Sequence, residues 1–250
     1  MTAPLFDPAL LALRRARAAR MDGGAFLFER AFDECLERIA LVRRPFRSAL
    51  LFGRANLGWS DRLRSIGITE LFVLDPDSPE SPPVTADLCL SIGALDTAEP
   101  LPSVLMALRH LLAPDGLLIG ALAGGNSLPA LRRAMLAADS ADGRAAAAHV
   151  HPRIDPPSFA ALLGEAGFVM PVVDVDRVAL RYGDLDGLVR DLRAMAATNR
   201  LLERPRRPVL RAGLAAARDC FAPLADRGRT TETIEILHFA AWTPEAAARN

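Results

Sequence analysis

Residues 101–122 read LPSVLMALRHLLAPDGLLIGAL. Leu105, Leu108, Leu111 and Leu112 recur at helical spacing, Pro114-Asp115-Gly116 makes a turn, and Leu117 to Leu122 is an unbroken apolar run. An apolar run that does not alternate predicts a strand buried on both faces, the mark of a parallel sheet covered by helices. The same grammar extends upstream. Ser48 to Phe52 runs to Gly53, Leu71 to Leu74 runs to Asp75, and Leu88 to Ser91 follows Asp87, with a helix over 59–66 closed by Gly67. Strand alternating with helix predicts an α/β, Rossmann-like, mostly parallel sheet. Residues 76–86 hold Pro76, Pro79, Pro82 and Pro83 and read as a loop.

Downstream, helices are expected after Gly124-Gly125-Asn126 to about Ala138 and over 158–166, then a strand from Val172 to Tyr182. A last strand from Glu232 to Trp242 sets Ile234 and Ile236 against Glu232 and Glu235. Between them, 184–225 reads as two helices parted by Pro205 and Pro208. Residues 9–43 read as two further helices, the second with Phe28, Phe32, Leu36, Ile39 and Ala40 inward. The organisation expected is N-terminal helices over 1–47, a core over 48–182 and 230–243, and a helical insertion over 183–229.

The 250 residues carry 30 basic and 30 acidic side chains, and every basic one is arginine. A net charge of zero gives no global field for nucleic acid or an anionic membrane. Cys35, Cys89 and Cys220 form no C-x-x-C pair, so neither a disulfide framework nor a zinc site is expected. His149 and His151 with Asp155 have metal-binding chemistry, but Pro152, Pro156 and Pro157 place them in a loop, and no metal is expected. No apolar run approaches the ~18 residues of a membrane helix. The arginine-rich start reads as a first helix rather than a transit peptide, and a cytoplasmic protein is the expectation.

Leu112-Ala113-Pro114-Asp115-Gly116-Leu117 looks like the entry to the fifth strand of the class I methyltransferases that use S-adenosylmethionine. Four further strings carry the likeness: Gly124-Gly125-Asn126-Ser127-Leu128, Ala166-Gly167-Phe168 with Val173-Asp174-Val175-Asp176, Arg190 to Met195 running to Asn199, and Thr231-x-Thr233-x-Glu235-Ile236. Together they resemble the complex I assembly factor family, credited with an arginine hydroxylase, and the similar malonyl carrier protein methyltransferases. The resemblance implies a closing antiparallel strand and a cofactor pocket at the strand ends, with Gly53, Arg54, Ala55, Asp75, Ser91 and Ile92 along it. It also implies a protein partner, such as a respiratory complex subunit.

The pocket departs from the family's pattern. Where the resemblance expects acid-x-Gly-x-Gly-x-Gly, the positions hold Leu51, Gly53, Ala55 and Leu57. Asp75 lies 22 residues after Gly53, where an acid accepts ribose hydroxyls, and it is equally placed to cap an Asp-Pro turn. Only 11 residues separate Asp75 from Asp87, about 36 Å extended, where the family fits a helix, a strand and an acidic loop; one edge βα unit is missing. Asp96, Thr97 and Pro100 replace the family's His-Trp and Asp at the pocket mouth, and no catalytic base stands out. Two functions compete: a binding or assembly factor with an eroded S-adenosylmethionine site, or an active S-adenosylmethionine-dependent enzyme acting on a protein or carrier-protein substrate.

Overall fold

The computed structural model describes residues 4–53, 57–75, 85–222, 225–226 and 228–246. Seven strands form one sheet: β1 (Ser48–Gly53), β2 (Glu70–Leu74), β3 (Ala86–Ile92), β4 (Leu112–Ala123), β5 (Val169–Tyr182), β6 (Ala225–Asp226) and β7 (Arg229–Trp242). Their order is β2-β1-β3-β4-β7-β5, with β6 hairpinned onto β7. β2, β1, β3 and β4 are mutually parallel, and β7 runs antiparallel to β4. The α/β fold with a parallel core and an antiparallel closing strand is thus the one expected. The helices are α1 (Pro8–Ala18), α2 (Phe26–Leu41), α3 (Leu57–Ser65), α4 (Leu101–His110), α5 (Pro129–Ala141), α6 (Pro156–Glu165), α7 (Leu185–Ala194) and α8 (Arg211–Phe221). The Pro-rich stretch falls largely on 76–84, outside the described residues. No described helix is long and apolar enough to cross a membrane.

The chain divides into two compact units, 1–26 with 125–153 and 177–235, and 27–124 with 154–176 and 236–250. The second holds the parallel strands. Its core joins Leu50 and Phe52 of β1, Cys89 of β3, Leu118 and Leu122 of β4, and Leu237 and Phe239 of β7 to Leu105, Leu108, Phe159 and Leu163 from α4 and α6. Phe159 meets Phe239 edge to face at 5.0 Å. Burial of this apolar surface, at roughly 25 cal/mol per Å², is the main favourable term holding the helices to the sheet.

On α2 the buried line runs Leu27, Ala31, Cys35, Ile39, with Phe32 beside it. The expected stripe was rotated: Phe28 and Leu36 are half-buried and Ala40 is exposed. A helical stripe takes its centre from what the sheet needs covered, and an aromatic side chain reaches the core from the margin. Burial pushes the Cys35 thiol up to about 12, so it is inert.

His238 of β7 is 2% exposed, and its Nδ1 has no hydrogen-bond partner among the described residues. Arg30, Glu34 and Arg38 of α2 and Asp176 of β5 supply the charges around it. Burial, with Arg38 adding to it, holds the ring below the ordinary histidine range. A depressed folded value means stability that is present above the unfolded value, about pH 6.5, and lost as pH falls through the folded one. His238→Gln is expected to flatten the decline in melting temperature below about pH 6.5; an unchanged acid limb would assign that decline to other groups.

In the first unit, carboxylates hold the helix starts. Asp7 accepts from Leu10 N at 3.0 Å and Asp184 from Gly187 N at 2.7 Å. Asp142 accepts from Leu210 N and Gly213 N at the start of α8, at 2.9 and 2.8 Å. The alternation in β7 had placed Glu232 and Glu235 outward, and this is corrected: they are 0% and 1% exposed. Glu232 accepts from Leu131 N at 2.8 Å, Thr233 N at 2.9 Å and Ala130 N at 3.3 Å, where α5 begins behind Pro129. Burial pushes its carboxyl above the ordinary range against the pull of those donors. A helix N-terminus stabilises an anion, which is why this strand tolerates a glutamate inside.

Candidate functional site

In a parallel sheet, the strand ends and the loops leaving them build the site. β1 ends at Gly53, whose φ of +100° lies where glycine is favoured. A Cβ there would overlap the methyl of Ala94, so the chain leaving β3 crosses directly over the end of β1. Gly53 is in register with Ile92, the last residue of β3, itself 2% exposed. Gly93 follows with φ +62° and donates its N–H to the Ala121 carbonyl at 2.9 Å. Cε1 of Phe28 stands 2.5 Å from where a Gly93 Cβ would be, so this ring packs on the backbone beyond β3.

Ser91 is fully buried, and its hydroxyl has no hydrogen-bond partner among the described residues. It lies two residues after Cys89, on the sheet face of the aliphatic core, in register with Phe52 and Gly120. Asp75 follows β2 and is exposed. Arg54 and Ala55 lie outside the described residues. Gly53, Asp75, Ser91 and Ile92 therefore lie at the carboxyl ends of three adjacent strands, with the Ser91 side chain turned into the core.

The helix after the first loop is pinned by aromatic contacts. Trp59 of α3 stacks on Phe32 of α2 at 4.6 Å and 3°, and its Nε1 donates to Glu29 at 2.9 Å. The Arg62 guanidinium covers the other partner, 4.8 Å from the Phe32 ring centre. Beyond β3, Leu95–Thr97 form a single 3-10 turn, with Leu95 buried. Phe28 and Ala94 are the features sequence reasoning missed. Phe28 had been placed in a core stripe, and nothing in its spacing distinguishes a ring over Gly93 from a ring under the sheet.

What this arrangement offers chemically is limited. For S-adenosylmethionine, Gly53 keeps the backbone turn that lets a ligand approach, and Asp75 offers a carboxylate for a diol. The space above β1 and β3 is instead occupied by Ala94 and Phe28, so the fit is partial. The histidines of the 149–151 segment are engaged within the chain: His149 Nε2 pairs with Asp139 at 3.0 Å, and His151 Nε2 accepts from Arg200 N at 2.8 Å. No group of three metal-ligating side chains occurs among the described residues.

No protein-family model matches the chain. It is similar to the zebrafish (Danio rerio) "Arginine-hydroxylase NDUFAF5, mitochondrial", 31% identical over 163 residues, covering 64% of this chain and 50% of that protein. The chain spans about half the length of the first curated relatives it matches. A malonyl-[acyl-carrier protein] O-methyltransferase of Halorhodospira halophila is 32% identical over 266 residues, covering 93% of this chain and 88% of that one. Among solved structures, a candidate methyltransferase from Bacillus halodurans shares the fold, with TM-score 0.52 at 10% identity over 84% of this chain and 97% of that one. Sheet order and near full-length similarity agree: the chain belongs to the class I methyltransferase family that holds the malonyl-[acyl-carrier protein] O-methyltransferases and the NDUFAF5 proteins.

Proposed function

We propose that this protein is a methyltransferase-fold binding or assembly factor whose S-adenosylmethionine site is eroded. The observation that carries the reading is the covered strand ends: Ala94 packs on Gly53 and Phe28 on Gly93. The other candidates add to it: Ser91 is sunk in the aliphatic core and Ile92 is apolar, which leaves Asp75 as the one carboxylate among them. Protein binding then rests on the helical surfaces, those of α7 and α8 within 183–229 among them. A second reading keeps the chain as an S-adenosylmethionine-dependent enzyme acting on a protein or carrier-protein substrate. Gly53 favours it, since its positive φ keeps the turn such a pocket uses, and so does the similarity that runs over nearly the whole chain.

Calorimetric titration of ligand-stripped protein with S-adenosylmethionine and S-adenosylhomocysteine decides between the two. The expected result is no heat and no thermal stabilisation at millimolar ligand. Binding at micromolar strength, about −8 kcal/mol, would establish the enzyme reading instead.

A further inference from the structure

The net charge of zero conceals a separation. Residues of the first unit include 20 arginines against 12 carboxylates, a net +8, while the second has 10 against 18, a net −8. Burial sharpens the contrast. Asp139, Glu232 and Glu235 are at most 4% exposed, and the Asp142 side chain is 1% exposed. These four carboxylates are turned inward on backbone N–H groups and side-chain partners. Among the described residues of this unit, thirteen arginines stand exposed against five carboxylates.

Four of the exposed arginines belong to two helices that pack together. α1 contributes Arg17 and, just past its end, Arg20; α7 contributes Arg190 and Arg193. The segment that follows α1 also packs on the end of α7: a Cβ at Gly24 would overlap the backbone of Ala194. Leu185, Leu188 and Leu192 take the buried side of α7, which leaves Arg190 and Arg193 on its outer side. On α1, Leu13 is 46% exposed and stands one turn before Arg17, on the same face. An exposed leucine beside guanidinium groups suits a ligand that offers an apolar side chain and carboxylates together.

We infer that the α1–α7 face, with Leu13, Arg17, Arg20, Arg190 and Arg193, is a docking surface for an acidic amphipathic helix of a protein partner. Guanidinium groups pair with carboxylates bidentately, and the leucine seats an apolar residue between them. An extended polyanion fits less well. Nucleic acid or an anionic membrane surface would pair with the guanidinium groups and leave the exposed Leu13 without an apolar partner. The inference deepens the binding-factor reading and rests on it, but the two fail separately, because cofactor binding would leave this surface unchanged.

The test uses the full chain and a fluorescent helical peptide whose one face carries a leucine stripe flanked by glutamates. Binding is followed by anisotropy at low salt. The peptide is expected to bind, its glutamine counterpart to bind at least about tenfold more weakly, and added salt to weaken the complex. The Arg17→Glu/Arg20→Glu/Arg190→Glu/Arg193→Glu chain should lose at least about tenfold in affinity with its melting temperature unchanged. Arg43→Glu/Arg47→Glu in the other unit should leave affinity as it was. Should the quadruple variant melt early, Arg190→Gln/Arg193→Gln is judged by the same criteria. Unchanged affinity in the arginine variants overturns the proposal. So does equal binding of single-stranded DNA or phosphatidylglycerol vesicles at these arginines, which would mark a general anion surface.

Discussion

Replacement of Gly120 by valine is expected to abolish folding, with the protein recovered insoluble or without a cooperative melt. Gly120 lies in β4, in register with Ser91 of β3 and Phe239 of β7. A Cβ there would overlap the Ser91 carbonyl oxygen and stand 2.7 Å from Cζ of Phe239. The ring can give, but the carbonyl is fixed backbone. Relief requires β3 and β4 to separate at the centre of the parallel sheet. Overpacking costs about 1–3 kcal/mol when side chains yield and more when backbone must, against a total stability of roughly 5–15 kcal/mol. Gly120→Ala, the milder change, is expected to cost about 3 kcal/mol or more. Removing the ring as well, in Gly120→Ala/Phe239→Ala, should give no rescue, since the carbonyl overlap persists. An alanine variant melting within a couple of degrees of the parent would show that the β3–β4 approach is looser than described.

Phe239→Ala should lower stability by about 3–5 kcal/mol, the range for truncating a buried phenylalanine. The ring is 0% exposed and lies against Phe159, also 0%. It fills the floor left by Gly120, so the cavity has rigid strand backbone on one side and cannot collapse. For a chain of this size the melting temperature should fall on the order of 10 °C. Thermal denaturation followed by circular dichroism gives the answer, with Phe239→Leu as the comparison expected to lose less than half as much. Similar losses for the two would mean that the edge-to-face geometry, rather than volume, is what the site requires.

The strands were legible because continuous apolar runs such as Leu117–Leu122 have one low-energy home, the middle of a covered sheet. The strand-end position of Gly53, Asp75, Ser91 and Ile92 followed from the same pattern. Other features were illegible for physical reasons. Glu232 is a charge that belongs in water by its chemistry, and only the start of α5, a hundred residues earlier in the chain, makes its burial tolerable. Phe28 reads as core in any helical projection, and its place over Gly93 depends on how α2 is rotated. The charge separation was present in the letters, but a total of zero hides it until the fold sorts arginines from carboxylates.

β7 has a kinetic consequence. It enters the sheet between β4 and β5, yet follows both in the chain. During synthesis, β4 and β5 emerge first and hold open edges facing a gap, with Leu118, Ile119 and Leu122 already committed to that row. Until residues 229–242 arrive, those edges are templates for any other extended chain, including another nascent copy. The interval between β5 and β7 is when the nascent chain is most open to mispairing.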